Sequence, residues 1–246
     1  MRETLKGIAF DLDGTLYPNY RLNVRLLPFL LKEWRLLAAF GKARAIIRNQ
    51  QEENLKNSQF STLNSQSSPP DSQFSILNSQ SFYNYQAELT AKILSADSEL
   101  IKDKIERLIY RGWEPLFKKV KLFDGVIETL DALKKAGLKM GLMSDFPPET
   151  KIKYLGISDY WDVVHCSEDS GTLKPHPLSF IKLADAMEMP PENILYVGNS
   201  HPYDIVGAGR AGMKTAWLKS IISEKKIPKP DFSFKNYRKL YNFMIH

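Results

Sequence analysis

The stretch that decides the fold is Gly7–Tyr17, "GIAFDLDGTLY". A short apolar run ends in two aspartates one residue apart, followed by a Gly-Thr turn. An apolar run bounded by a turn signal reads as a strand buried on both faces. Asp11 and Asp13 then stand side by side at its carboxyl end. One carboxylate there can act as a nucleophile, and a second can give and take a proton. Crowding of like charges raises one of the two pKa values, which suits the acid role. A hard dication with oxygen ligands would offset the remaining repulsion.

Downstream of Tyr110 the chain alternates apolar strands with helical stretches. Asp124 is placed to cap a helix carrying Val126, Leu130 and Leu133, and Gly137 stops it. The strand "LKMGLMS" (138–144) comes next, then a helix from about Pro147 and the strand "DVVHC" (162–166). A helix near 177–187 precedes "NILYVG" (193–198), and another near 202–211 leads to "KTAWL" (214–218). With the first strand this makes five short strands separated by helices. The fold class read from this is α/β, a Rossmann-like parallel sheet with helices on both faces. Right-handed crossovers bring every strand's carboxyl end to one edge, where open α/β sheets bind ligands. Asp11, Asp13, Ser144, Lys174, Asn199, Ser200 and Asp204 all fall on that edge.

Between the first strand and residue 120 lies a mostly helical block without strand pattern, expected to hang over the site as a cap. The domains expected are therefore a core of 1–17 and 121–246 and a helical cap of 18–120. Within the cap "SQFSTLNSQS" (58–67) recurs as "SQFSILNSQS" (72–81). Ser, Gln and Asn dominate, so a low-complexity loop over 57–81 is expected. Residues 21–56 carry eight Arg or Lys against three Glu, within a chain of net charge +6. Leu27, Leu30, Trp34 and Leu37 recur at helical spacing there, and the expectation is a buried packing stripe rather than a membrane-surface helix.

The chain has 246 residues, 43% apolar and 25% charged, ordinary for a globular protein. No apolar run approaches the roughly 18 residues of a membrane span. Cys166 is the only cysteine, which excludes an intrachain disulfide and suits a reducing compartment. The opening "MRETLKGIAF" lacks signal-peptide architecture. The expected location is the cytoplasm.

The string Asp-x-Asp-Gly-Thr-Leu has a chance occurrence below about one in a thousand in such a chain at average residue usage. With three downstream motifs, it resembles the haloacid dehalogenase-like hydrolases, in the helical-cap phosphatase branch that includes phosphoglycolate phosphatases and nucleotidases. "FDLDGTLYP" matches the first motif, Ser144 of "LMSD" the second, Lys174 of "LKPHP" the third and "GNSHPYDIVGAGRAGM" the fourth. The similarity covers 5–17 and 121–234 well and the cap only in kind.

The resemblance implies Mg²⁺-dependent hydrolysis of a small phosphate monoester. Asp11 would become an aspartyl-phosphate, and Asp13 would serve as general acid and then base. Thr15, Ser144, Asp145 and Lys174 would attend the phosphoryl group, with Lys174 neutralising charge developing there. Mg²⁺ would sit on Asp11, the main-chain carbonyl of Asp13, Asn199 and Asp204. The partner would be a small phosphorylated metabolite, with no nucleic acid and no membrane association; the oligomeric state is left open. Relatives that cleave carbon–halogen or carbon–phosphorus bonds lack the second aspartate, so Asp13 argues against both chemistries. The alternatives are a phosphomutase with the same residues and a weak or inactive enzyme that binds phosphorylated ligands. The latter arises because family members usually carry an acid where this chain has Asn199.

Two other signals have blander readings. "GAGRAG" (207–212) matches a dinucleotide fingerprint, but it ends a helix and enters a strand, the reverse of the required order. Gly212 reads instead as a helix C-cap. The four histidines (165, 176, 201, 246) have no metal-ligand spacing, and His201 reads as a solvated loop residue.

Overall fold

The computed structural model describes residues 4–64, 79–219 and 228–245. Six parallel strands form one sheet in the order β3-β2-β1-β4-β5-β6. They are β1 (Gly7–Asp11), β2 (Lys139–Ser144), β3 (Val163–Cys166), β4 (Ile194–Gly198), β5 (Lys214–Leu218) and β6 (Phe232–Phe234). The first five are the strands read from the sequence. The sixth is a three-residue edge strand, too short for a periodicity to announce it.

β1 lies between β2 and β4, and all five of its residues are buried. The pleat sends Ile8 and Phe10 to one face and Ala9 to the other. On the first face Ile8, Phe10, Leu142 and Leu195 pack with helix α5 (Val126–Lys135), through Leu130, and α9 (Tyr237–Ile245), through Leu240. On the second, Ala9, Met143 and Tyr196 meet Phe180 and Leu183 of α7 (Pro177–Ala186) and Ala208 of α8 (Val206–Arg210). Helix α6 (Glu149–Tyr154) follows β2. The sheet is thus covered on both sides, as continuous apolar strands require. Asp124 does not cap α5. Gly125 occupies that position with φ +83°, a left-handed conformation that glycine reaches without steric cost. At the other end Gly137 takes φ +77° and donates to the Lys134 carbonyl, closing the helix as expected.

The insertion after β1 is helical: α1 (Asn19–Lys32), α2 (Trp34–Asn64), α3 (Ser79–Leu94) and α4 (Ser98–Lys104), continuing in a π-helical turn, Ile105–Tyr110. Leu36, Phe40, Ala87, Ile101 and Ile105 form its own apolar cluster. The stretch expected as a low-complexity loop, 57–81, is helical at both of its ends. α2 continues to Asn64 and α3 begins at Ser79, and the rest of that stretch lies outside the described residues.

Only half of the expected packing stripe is a packing face: Leu30 and Leu37 are partly buried against apolar clusters. Leu27 and Trp34 are exposed, while Leu22 and Leu26 of α1 and Leu36 and Phe40 of α2 are buried. The chain breaks between the two helices at Glu33, which resets the helical phase. A periodicity carried straight through the break therefore joins residues from different faces.

Candidate active site

The carboxyl ends of β1, β2 and β4 and the loop after β3 converge on one polar cluster. At the end of β1 the chain turns at Gly14, whose φ is +87°. A side chain there would also strike the Asn199 amide, 2.3 Å from the would-be Cβ. The turn folds Thr15 back so that its hydroxyl donates to Asp11 Oδ2 at 2.6 Å. Tyr237 in turn donates its hydroxyl to the Thr15 carbonyl at 2.8 Å.

Lys174 approaches Asp11 from the loop after β3. Its buried ammonium lies 2.8 Å from Asp11 Oδ1, 3.0 Å from Asp204 Oδ1 and 2.7 Å from the Tyr196 hydroxyl. Burial works against its charge, but Asp11 and Asp204 hold its pKa well above the ordinary lysine value. Asp204 comes this close because β4 ends in Gly198, where a Cβ would sit 2.3 Å from that of Asp204. The Ser200 amide donates to Asp204 Oδ2 at 2.9 Å and fixes the carboxylate.

Asp13 has different partners. Ser144, at the end of β2, donates to Asp13 Oδ2 at 3.0 Å, and the Tyr17 hydroxyl donates to Oδ1. Lys151 of α6 places its ammonium 3.0 and 3.2 Å from the two carboxylate oxygens. It lies between the rings of Phe117 and Phe146, 5.5 and 5.3 Å from their centroids. The two aspartates are thereby separated electrostatically. Burial, then the charges of Asp204 and Asp13, push the Asp11 carboxyl up to about 7 against the pull of Lys174. For Asp13 burial also works upward, but the Lys151 charge and the Tyr17, Lys151 and Ser144 hydrogen bonds carry it below the usual carboxylate range.

The sequence reading missed Lys151. Its signal is a lysine in the first turn of the helix after β2, and nothing in the sequence alone shows that α6 brings it back to Asp13. Asp145, expected among the phosphate contacts, faces elsewhere. It pairs with Arg48 at 2.8 Å and Arg44 at 3.4 Å and accepts from the Ser167 hydroxyl at 2.5 Å and the Lys174 amide at 3.2 Å. Burial opposes its charge, yet Arg44 and Arg48 hold its carboxyl below the usual range. An ionised carboxylate so engaged would repel a phosphate. Both arginines belong to α2, so this pairing ties the insertion to the loop beside the site. Arg44 also pairs with the buried Glu168, and Arg48 donates to the Lys174 carbonyl at 2.9 Å. His201 is not solvated. It is buried against Trp217, with its ring 5.2 Å from the indole and bonded to the Pro228 carbonyl.

The possible metal ligands are all oxygens: the carboxylates of Asp11 and Asp204, the Asn199 amide oxygen and the Asp13 main-chain carbonyl. The Asn199 oxygen faces the Thr15 hydroxyl at 3.4 Å. Among the described residues no three His, Cys, Asp or Glu side chains are grouped to hold a metal, and Asn199 would add a neutral donor. Burial is the main cause of the raised Asp11 carboxyl, with the Asp204 and Asp13 charges adding to it. Hard oxygen donors of this kind fit Mg²⁺.

The model of the haloacid dehalogenase-like hydrolases matches residues 5–212. A pyrophosphatase, PpaX, of Bacillus cereus is 33% identical over 145 residues, covering 55% of this chain and 67% of that protein. A glyceraldehyde 3-phosphate phosphatase of Methanopyrus kandleri is 27% identical over 244 residues, 96% of this chain and 95% of its own length. The crystal structure of a phosphatase from Thermococcus onnurineus superposes with a TM-score of 0.58 at 21% identity, over 98% of both chains, and shows the shared fold. The chain belongs to the haloacid dehalogenase-like hydrolases.

Proposed function

We propose that the chain is a phosphatase that hydrolyses the monoester of a small phosphorylated metabolite through an aspartyl-phosphate on Asp11. The observation that carries this reading is the division between the two aspartates. Asp11 is oriented by Thr15 and Lys174, and Asp13 by Ser144, Tyr17 and Lys151. The phosphatases named among its relatives support the same reaction class.

In the first half-reaction an Asp11 oxygen bonds to phosphorus and the phosphorus–oxygen ester bond breaks. The leaving alkoxide takes a proton from Asp13. In the second, Asp13 accepts a proton from water as that water attacks phosphorus, releasing inorganic phosphate and restoring Asp11. Lys174 neutralises charge on the transferring phosphoryl oxygens, and the Ser144 hydroxyl, turning from Asp13 as the substrate enters, donates to one of them. Lys151 keeps Asp13 ionised in the free site, so Asp13 takes up its proton as the anionic substrate enters and draws on the Lys151 charge. Mg²⁺, held by Asp11, Asp204, Asn199 and the Asp13 carbonyl, would supply electrostatic stabilisation of the phosphoryl group when bound.

Residues 18–120 act in this reading as a cap on a core of 1–17 and 121–246, with Arg44 and Arg48 as its attachment to the core. A phosphate-release screen over phosphorylated metabolites, with and without Mg²⁺, tests the proposal. Mg²⁺-dependent release from at least one small monoester is expected, and no release from any would refute it.

A further inference from the structure

We propose that α1 and the start of α2 form a docking face for an anionic membrane surface. Tyr20, Val24, Leu27, Leu31 and Trp34 are 63, 69, 53, 70 and 63% exposed. The first four recur at spacings of 4, 3 and 4 within α1, so they share one side of that helix, opposite Leu22 and Leu26, which enter the core. Trp34 is exposed just past the break at Glu33. Monomeric proteins seldom leave such a stripe in water without a partner. Within α1 it extends about 16 Å at the rise of an α-helix, with a tyrosine at its start and an exposed tryptophan just past the end of the helix. These are the side chains that favour the level of lipid headgroups.

The charge beside the stripe selects the partner. Arg25 and Lys32 are exposed on one flank, and Arg35 is exposed just past the break. No acidic residue occurs within α1. Beside Trp34 a groove of about 330 Å³ is lined by Lys32, Arg35 and Lys104, together with Glu33, a setting for an anionic headgroup. A second copy docked across antiparallel helices would set each basic flank against its own counterpart. An anionic bilayer neutralises the same flank while its acyl region covers the apolar residues. Among the described residues no helix is long and apolar enough to cross a membrane, so α1 would lie along the surface. α1 starts two residues beyond Tyr17, and Asn19 lies against Gly14 of the catalytic turn, so a docked face would hold the site close to the bilayer.

Co-sedimentation of the full chain with vesicles tests this. The chain should pellet with phosphatidylcholine vesicles containing a third phosphatidylserine, stay in solution with phosphatidylcholine alone, and be released by high salt. Leu31→Glu should weaken binding at least about ten-fold, and Arg25→Glu with Lys32→Glu should do the same. As these positions are exposed, thermal melts and turnover of a soluble substrate should stay unchanged. Tryptophan emission of the native chain should shift to the blue on adding the anionic vesicles, and Trp34→Phe should remove that shift. This readout holds even if a charged variant fails to fold. Absence of pelleting with the anionic vesicles would overturn the proposal, as would binding indifferent to Leu31→Glu. A dimer dissolved by Leu31→Glu, with no vesicle binding, would assign the face to a second copy instead.

Discussion

Lys151 lays its ammonium across both carboxylate oxygens of Asp13, at 3.0 and 3.2 Å. The pair divides the labour of the two aspartates, because the cation that serves Asp11 is a different one, Lys174. An ammonium held between Phe117 and Phe146 has little freedom to leave.

Removing this cation tests its part. Lys151→Met keeps the length of the side chain and deletes the charge. A positioned acid contributes roughly 10²–10⁴-fold, so a misplaced one should lower kcat by about ten- to a hundred-fold. KM for a small substrate should change less than kcat, and Lys151→Arg should recover part of the loss. An unchanged kcat in the methionine variant would remove Lys151 from the mechanism.

Asp145 gives a stability prediction with a definite sign. Its folded-state carboxyl lies below the usual value, held there by Arg44 and Arg48 against burial. Such a group contributes stability that is present above its unfolded pKa of 3.8 and is lost as pH falls through the lower folded value. Asp145→Asn should therefore destabilise at neutral pH, by roughly 1–3 kcal/mol for the weakened charged hydrogen bonds. The gap between the two proteins should close as pH drops below about 4. Denaturant titrations at several pH values measure it; a gap that stays constant would show that the ion pairing is not its source.

The parallel core is legible because strands buried on both faces are continuous apolar runs and their termini carry turn residues. "GIAF", "LKMGLMS" and "NILYVG" announce themselves in that way, and with them the edge where Asp11, Ser144 and Asn199 meet. Lys151 is not legible, since it reaches Asp13 by tertiary packing across 138 positions of chain. The direction of Asp145 is hidden for the same reason, because its partners Arg44 and Arg48 come from a helix about a hundred positions away. The exposed face of α1 is hidden because the helix carries apolar residues on both sides, Leu22 and Leu26 toward the core and Val24, Leu27 and Leu31 toward solvent. The burial of His201 is equally hidden, as it depends on Trp217, a residue of another element.

The metal requirement turns on Asn199. A neutral amide oxygen in place of a carboxylate leaves Asp11 and Asp204 as the charged ligands, and ligand charge tunes the affinity of such sites. Asn199→Asp should lower the Mg²⁺ concentration for half-maximal rate by roughly ten-fold, and Asp204→Asn should nearly eliminate activity. Mg²⁺ titrations of the initial rate check both. If the native chain stays inactive at saturating Mg²⁺ while Asn199→Asp turns over, the native protein is a binding protein rather than a catalyst. An unchanged metal dependence in both variants would refute this ligand assignment.

Asp13→Asn separates the two half-reactions. With a good leaving group, such as p-nitrophenolate, the first step needs little proton donation. Phosphoenzyme should then form and accumulate, while steady-state turnover falls by about 10²–10⁴-fold for want of a base. Turnover at the native rate would contradict the assignment of Asp13.

The central claim is the covalent role of Asp11, and rapid acid quench with radiolabelled p-nitrophenyl phosphate measures it most directly. Protein-bound label is expected within one turnover. That label should be stable in acid, released by hydroxylamine and carried by the peptide containing Asp11, and Asp11→Asn should show neither label nor turnover. Phosphate release without any labelled protein at any quench time, or normal turnover by Asp11→Asn, would contradict it.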